Sequence, residues 1–318
     1  MVAIRHAFSD LIQVVTQPRA GEFHYGGQAV IEGVMIRGQR NLAVAVRDPA
    51  GKLVVHTEPL TARIYTSPMG KWPLVRGLLM LWDTLVLGIR TLMFSAEVAL
   101  GEEEVAFSGP VAWGTIAISL TAALLIFFLG PLLLVGMIDR FIASSLLSNI
   151  IEGLIRLAFF LAYVFAIGFI PDVQRVFAYH GAEHKTINAY EDGASLKPAV
   201  VRTYTTAHAR CGTAFLLMVV VIAILVFALL GRPPLLLRIL SRLLLIPVIA
   251  ALAYEYVKFS AAHSRNPLIS LMLKPGLVLQ RLTTREPDET MLEVAITALE
   301  QVLAADDGQS LPATPPGG

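Results

Sequence analysis

Two histidines and a carboxylate fall within five positions of AYHGAEHKTINAYEDG, residues 178–193. On a helix, His180 and His184 are four residues apart and share one face, within reach of a single ion. Glu183 lies beside them. The order H-x-x-E-H is that of the inverted zincins. In such sites two neutral imidazoles hold a metal, and the carboxylate takes a proton from the water that the metal activates. A Glu that served as a ligand would be a poor base, so the chemistry needs a further ligand. Glu191 falls on the same face, but seven residues past His184 is about 10 Å along the helix axis, too far to share the ion. The next candidates are His208 and Cys211, three residues apart in TTAHARCGTAFLL. Imidazole and thiolate both suit zinc. With all four residues bound, the site is closed and structural; with Cys211 spared, a position stays open for water and catalysis. The bland alternative is a polar hydrogen-bond network without an ion, because so short a motif arises in many helices by chance.

The elements that must position these groups are strongly apolar. The chain has 318 residues, 55% hydrophobic and 15% charged, with a mean hydropathy of +0.66. Soluble domains average about 25% charged residues, so the composition predicts an integral membrane protein. A net charge of +1 gives no argument for nucleic-acid binding. The one cysteine, Cys211, cannot form an intrachain disulfide and suits a reducing compartment. Residues 1–23 lack the pattern of a secretory signal peptide, so the first membrane helix is expected to serve as the targeting signal.

The pattern predicts a mainly α fold: a membrane helical bundle of about four spans, with a small N-terminal β-rich module and a C-terminal amphipathic helix. Residues 1–70 hold the module, its Val- and Ile-rich runs punctuated by GQRN and DPAG. Residues 71–100 read as a helix. Lys71, Arg76, Asp83, Arg90 and Glu97 recur on one face of it, which predicts a helix lying on the membrane surface or packed on the bundle rather than crossing. An acidic linker, GEEEVAFSG, follows. Spans are expected at 111–137, 149–170, 212–231 and 236–259. The first hairpin occupies 111–170 and the second 212–259, with the His/Cys loop and helix at 171–211 between them. In the fourth span, Arg238 and Arg242 are expected to snorkel outward. Glu255, an intramembrane carboxylate, is a functional candidate by default. Residues 260–305 read as further helices. The last of these opens with EPDE and carries Leu292, Ala295, Ile296, Leu299, Val302 and Leu303 at helical spacing. The tail, 306–318, is expected to be disordered.

Lys and Arg concentrate in the N-terminal part, the 171–211 loop and the C-terminal part. All three are therefore expected on the cytoplasmic side of a bacterial inner membrane. His24, His56 and His263 are isolated; the first two read as ordinary module residues, and His263, after the fourth span, could approach the loop but has no motif of its own. The glycine-rich stretch YGGQAVIEGVMIRG is neither a P-loop nor a dinucleotide fingerprint. It reads as a tight β module, with the roles of Glu32 and Arg37 left open.

GGQAVIEGVMIRG, RVFAYHGAEHKTINAYE, HARCGTAFL, YEYVKFS and PGLVLQRLTTREPDETMLEVAITALE together resemble the bacterial DUF1385 membrane proteins, from about residue 24 to 303. The resemblance implies a metal-dependent enzyme, and the His/Cys ligand types point to a divalent metal, zinc by preference. It implies His180, His184, His208 and Cys211 as ligand positions. One departure is Ala209, where the family's HPRCGT has proline. The reading that follows is metal-assisted hydrolysis with Glu183 as base. The alternatives are a membrane scaffold in which the His/Cys cluster is structural, and a transporter with Glu255 on its path. The transporter ranks last, because interrupted spans in matching positions are not evident in the sequence.

Overall fold

The computed structural model describes residues 23–61, 72–101, 110–263 and 266–309. The expected acidic linker beyond Gly101 and the last nine residues of the expected tail lie outside these. Residues 306–309 of that tail are described: the final helix runs to Asp306 and a turn follows.

The Val/Ile runs form one antiparallel sheet in chain order: β1 (Gly26–Val30), β2 (Gly33–Arg37), β3 (Asn41–Arg47) and β4 (Leu53–Pro59). The β1–β2 register pairs Val30 with Gly33, so the connection is the two-residue turn Ile31-Glu32. Glu32 takes a positive φ of 51° there, a conformation a non-glycine residue adopts at a cost. Its carboxylate is held by Arg175 Nε at 2.6 Å and by Tyr179 Oη at 3.3 Å.

β2 and β3 are buried on both faces, which is why they read as unbroken apolar runs rather than alternating ones. On one face Val34, Ile36, Ala43 and Ala45 pack against α5 (Pro171–Glu191) and α11 (Glu289–Asp306). The predicted stripe of α11 supplies Leu292, Ala295, Ile296, Leu299 and Val302 to this core. On the other face Met35, Leu42, Val44 and Val46 meet Leu87, Phe94 and Val98 of α1 (Val75–Leu100).

Three members of the polar stripe of α1 find partners in the protein, whereas Glu97 is exposed and Lys71 lies outside the described residues. Asp83 pairs with Arg37 at 3.2 Å, Arg90 with Glu58 at 2.9 Å, and Arg76 Nε with Glu255 at 2.7 Å. Trp82, Leu85 and Leu92 point outward. By length and composition α1 is nonetheless apolar enough to cross a membrane, with a mean hydropathy of 1.5.

Three more helices qualify: Trp113–Phe141, Ser145–Ile167 and Gly212–Leu229. The first comprises α2 (Pro110–Leu124), a π-helical turn at Leu125–Leu129, α3 (Gly130–Ile138) and a closing 3₁₀ turn. α4 (Ser145–Ile167), capped by Ser144, packs along α7 (Gly212–Leu229); a short α6 (Pro198–Val201) precedes α7. Outer residues such as Ile118 and Met137 are each 72% exposed in the isolated chain, which suits an apolar surrounding.

The fourth expected span differs. It is a pair, α8 (Leu235–Leu244) and α9 (Ile246–Ala262), bent by 41°. Pro247 at the start of α9 cannot continue the preceding hydrogen-bond ladder. Arg238 and Arg242 do not snorkel: they are 4% and 1% exposed and turn inward onto Glu152. A partnered guanidinium is cheaper inside than a helix pattern alone reveals. α10 (Pro267–Thr283), capped by Asn266, lies against α7.

Asp306, where α11 ends, fastens that helix to the β2–β3 turn. Its carboxylate accepts N–H bonds from Gln39 (2.6 Å), Arg40 (3.0 Å) and Asn41 (2.9 Å), a side-chain bond from Asn41 (3.0 Å) and the Tyr25 hydroxyl (3.2 Å). Burial raises its pKa, but these donors outweigh burial and hold it below the ordinary carboxylate value. Asp306→Ala strands several donors and is expected to cost about 2–4 kcal/mol in chemical unfolding. Because the folded-state pKa is depressed, the contribution is present above the unfolded value. It is lost as pH falls below about 4. A substituted protein as stable as the parent at pH 7 would contradict this.

Candidate functional site

α5 begins with Pro171 at its first turn, where the missing N–H costs nothing. It is clamped between the sheet, α11 and the chain that follows α10, so the motif on it is buried. His180 Nδ1 lies 2.8 Å from the Thr283 carbonyl oxygen, and His184 Nδ1 lies 2.6 Å from that of Thr206. A carbonyl only accepts, so each Nδ1 carries a hydrogen, which leaves Nε2 as the ring nitrogen that could coordinate an ion. Cys211 Sγ is 3.3 Å from His180 Nε2. One donor atom each from His180, His184 and Cys211 lies within 4.8 Å of the others.

Cys211 is also the N-cap of α7, its sulfur accepting the Thr213 N–H at 3.4 Å. The sulfur thus sits at the N-terminal end of that helix. His184 and Cys211 are buried, and His180 is half-buried.

Glu183 is 4% exposed. Its Oε1 accepts the Gly27 N–H of β1 at 3.1 Å, and its Oε2 is 3.6 Å from His184 Nε2. Burial raises its pKa; the neighbouring His180 and Arg210 and the Gly27 N–H oppose this without cancelling it. The carboxyl therefore holds a proton more readily than an ordinary glutamate.

His208, the other expected ligand, is placed beside this trio, its ring centroid 5.5 Å from that of His184. Its N–H and carbonyl are both taken by the Gln280 side chain at 2.8 Å. Its Nε2 faces Glu191 at 3.7 Å. Burial pushes the His208 pKa down to about 4 despite Glu191, so the ring is neutral at neutral pH. Burial works to raise the Glu191 pKa, but His208 and Arg210 outweigh it and hold that carboxylate low. Glu191, set aside for the first ion by distance, thus belongs to a neighbouring cluster with His208 and Arg210.

The residues left open are accounted for by ion pairs. Glu32 binds Arg175 and Arg37 binds Asp83, both fastening the sheet to helices. Glu255 binds Arg76 and accepts the Leu74 N–H at 3.2 Å. The carbonyls of Thr206 and Thr283 were invisible in the sequence, because any residue supplies one. A second buried set around Glu152 and Arg156 was also missed, although a Glu and an Arg four apart inside an apolar span is a readable signal.

A helical bundle with a small antiparallel sheet and a buried His/Cys cluster defines the class of protein. Residues 72–305 match the family described as "Protein of unknown function (DUF1385)", and the chain belongs to that family. It is 32% identical over 292 residues to the "Uncharacterized protein YqhQ" of Bacillus subtilis (strain 168), covering 88% of this chain and 92% of the relative. No solved structure matches the chain.

Gly181 lies between the two histidine turns. A Cβ there would strike the carbonyl oxygen of Arg285, whose N–H bonds the Phe177 carbonyl at 2.9 Å. Gly181→Ala is therefore expected to push away the segment that carries Thr283, at a cost of about 1–3 kcal/mol. An unchanged melting temperature in detergent would show that the backbones do not approach so closely.

Proposed function

We propose that this is a multi-pass protein of the bacterial cytoplasmic membrane, and that His180, His184 and Cys211 hold a divalent metal where the bundle meets the sheet layer. The observation that carries the reading is the pair of backbone anchors. Each imidazole is oriented by a carbonyl on Nδ1, the usual outer-shell arrangement of a metal-binding histidine, and one donor atom from each ring lies within 4.8 Å of the Cys211 sulfur. Two nitrogens and a thiolate favour zinc. Such an ion would supply Lewis-acid activation of water. Three protein ligands leave a fourth position open, as hydrolysis requires. Glu183, whose Oε2 lies 3.6 Å from His184 Nε2, is not needed as a ligand and would be the group to take a proton from water held there, so we assign it the base. His208 and Glu191 stand just outside as a supporting pair. In the sequence, Lys and Arg concentrate in the N-terminal part, the 171–211 segment and the C-terminal part, which supports placing both chain ends and the site on the cytoplasmic side. A lipid bilayer would cover the outer apolar faces.

One observation favours a second, non-catalytic reading. The cluster is buried and ties together α5, the loop before α7, the end of α10 and β1, as a structural staple would. On that reading the ion stabilises a scaffold, and chelation alone lowers the unfolding temperature by an amount that Glu183→Gln leaves unchanged.

Cobalt(II) tests the site without a known substrate. The full chain in detergent is expected to bind Co²⁺ with tetrahedral visible bands and a thiolate charge-transfer band. Cys211→Ser should lose the charge-transfer band, and His184→Ala should bind more weakly by roughly 10-fold or more. Glu183→Gln should bind with parental stoichiometry, because Glu183 is not a ligand. Failure of Glu183→Gln to bind would make Glu183 a ligand and remove its role as base. Absence of any cobalt spectrum in the parent would remove the metal.

A further inference from the structure

The far end of α7, about 27 Å from Cys211 by helix rise, closes on a second polar cluster that the proposed metal chemistry does not use. Glu152 and Arg156 of α4 and Arg238 and Arg242 of α8 are 1%, 3%, 4% and 1% exposed. The Glu152 carboxylate is saturated. Its Oε1 accepts Arg156 Nη2 at 2.8 Å and Arg242 Nε at 3.1 Å; its Oε2 accepts Arg238 Nη2 at 2.8 Å and Arg242 Nη2 at 3.0 Å. A carboxylate has only about four lone-pair sites. Asp139 takes Arg238 Nη1 at 2.8 Å and the Ser148 hydroxyl, with the half-exposed Arg232 at 3.4 Å. Three buried guanidiniums thus share two carboxylates, leaving an excess of one positive charge.

Two of the nitrogens, Arg156 Nη1 and Arg238 Nε, are also buried and find no acceptor among the described residues. These two arginines hold opposite oxygens of one carboxylate, so both open donors border the same group. Arg156 Nε is already taken by the Phe127 carbonyl at 2.9 Å, inside the π-helical turn. The face of Arg156 lies 5.2 Å from the Phe227 ring centre and that of Arg242 lies 4.4 Å from it. Arginine does not shed its proton in proteins. Water could satisfy the two donors but would leave the charge uncompensated in a low-dielectric place, where that is costly.

We propose that this cluster is an oxyanion site that takes a phosphate group between α4 and α8. Guanidinium N–H groups match phosphate oxygens in geometry and charge. The backbone around the site is interrupted twice, by the π turn and by the bend at Leu245. Broken helices of this kind border ion and substrate sites in other membrane bundles. The phosphate could be free in solution or be the headgroup of a lipid. The lipid source rests on the membrane reading above; the free one does not.

The experiment uses the delipidated full chain in a phosphate-free nonionic detergent at constant ionic strength. Thermal unfolding is followed while inorganic phosphate, or phosphatidylglycerol in mixed micelles, is titrated. A saturable rise in unfolding temperature with inorganic phosphate supports the site and assigns a free anion. A rise with phosphatidylglycerol alone, with one lipid retained in native mass spectrometry, supports it and assigns a headgroup. No saturable rise with either probe overturns the proposal. Arg238→Lys keeps the charge but removes Nε. It should weaken whichever probe binds by about tenfold, the worth of one charge-assisted hydrogen bond. Parental affinity in Arg238→Lys would overturn the assignment of that donor. If the variant does not fold, the parental titration still decides the proposal.

Discussion

A charge withdrawn from water costs several kcal/mol unless its partner is withdrawn with it, and the contacts between elements follow that constraint closely. α1 joins the sheet through Arg37–Asp83 and Arg90–Glu58, and joins α9 through Arg76–Glu255. The strained turn at Glu32 is met by Arg175. The end of α11 is held where Asp306 gathers the N–H groups of the β2–β3 turn. Exposed pairs of this kind contribute little each. Their value is in register: each fixes which face of an apolar helix turns inward.

The same constraint shapes the histidine cluster. α5 is buried along the motif because the sheet and α11 cover it. Most of its polar side chains find partners within the chain; among the described residues the buried Thr186 hydroxyl does not. The two imidazoles find carbonyls, Glu183 finds the Gly27 N–H, and Lys185 finds the Arg202 carbonyl at 2.8 Å and Glu286. With these bonds made, a donor atom each of His180, His184 and Cys211 comes within 4.8 Å of the others. Chemical capacity here is what local satisfaction leaves over.

The apolar spans, the Val/Ile strands and the stripe of α11 could be read from the chain, because burial of one face imposes a period on the residues that make it. So could His180 and His184 on one face, since four residues is a helical distance. The choice between His208 and Cys211 could not be read. Both are good ligands three residues apart, and Gln280, 72 residues away, holds the His208 backbone while the ring meets Glu191. The inward turn of Arg242 was hidden for the same reason: its partner Glu152 lies 90 residues back in the chain. The bend at Leu245 had a local sign in Pro247 that the hydropathy of the segment masked. Spacing reveals which residues share a face; long-range partners decide what that face meets.

The central claim, that the His/Cys cluster is a metal centre, is tested most directly by elemental mass spectrometry of the full chain purified under reducing conditions. The comparison is a His180→Ala/His184→Ala protein that folds equally well. Near-stoichiometric zinc in the parent and its loss in the double variant is the result this account predicts. No metal in the parent, even after zinc is supplied, would contradict it and leave the cluster as a hydrogen-bonded core.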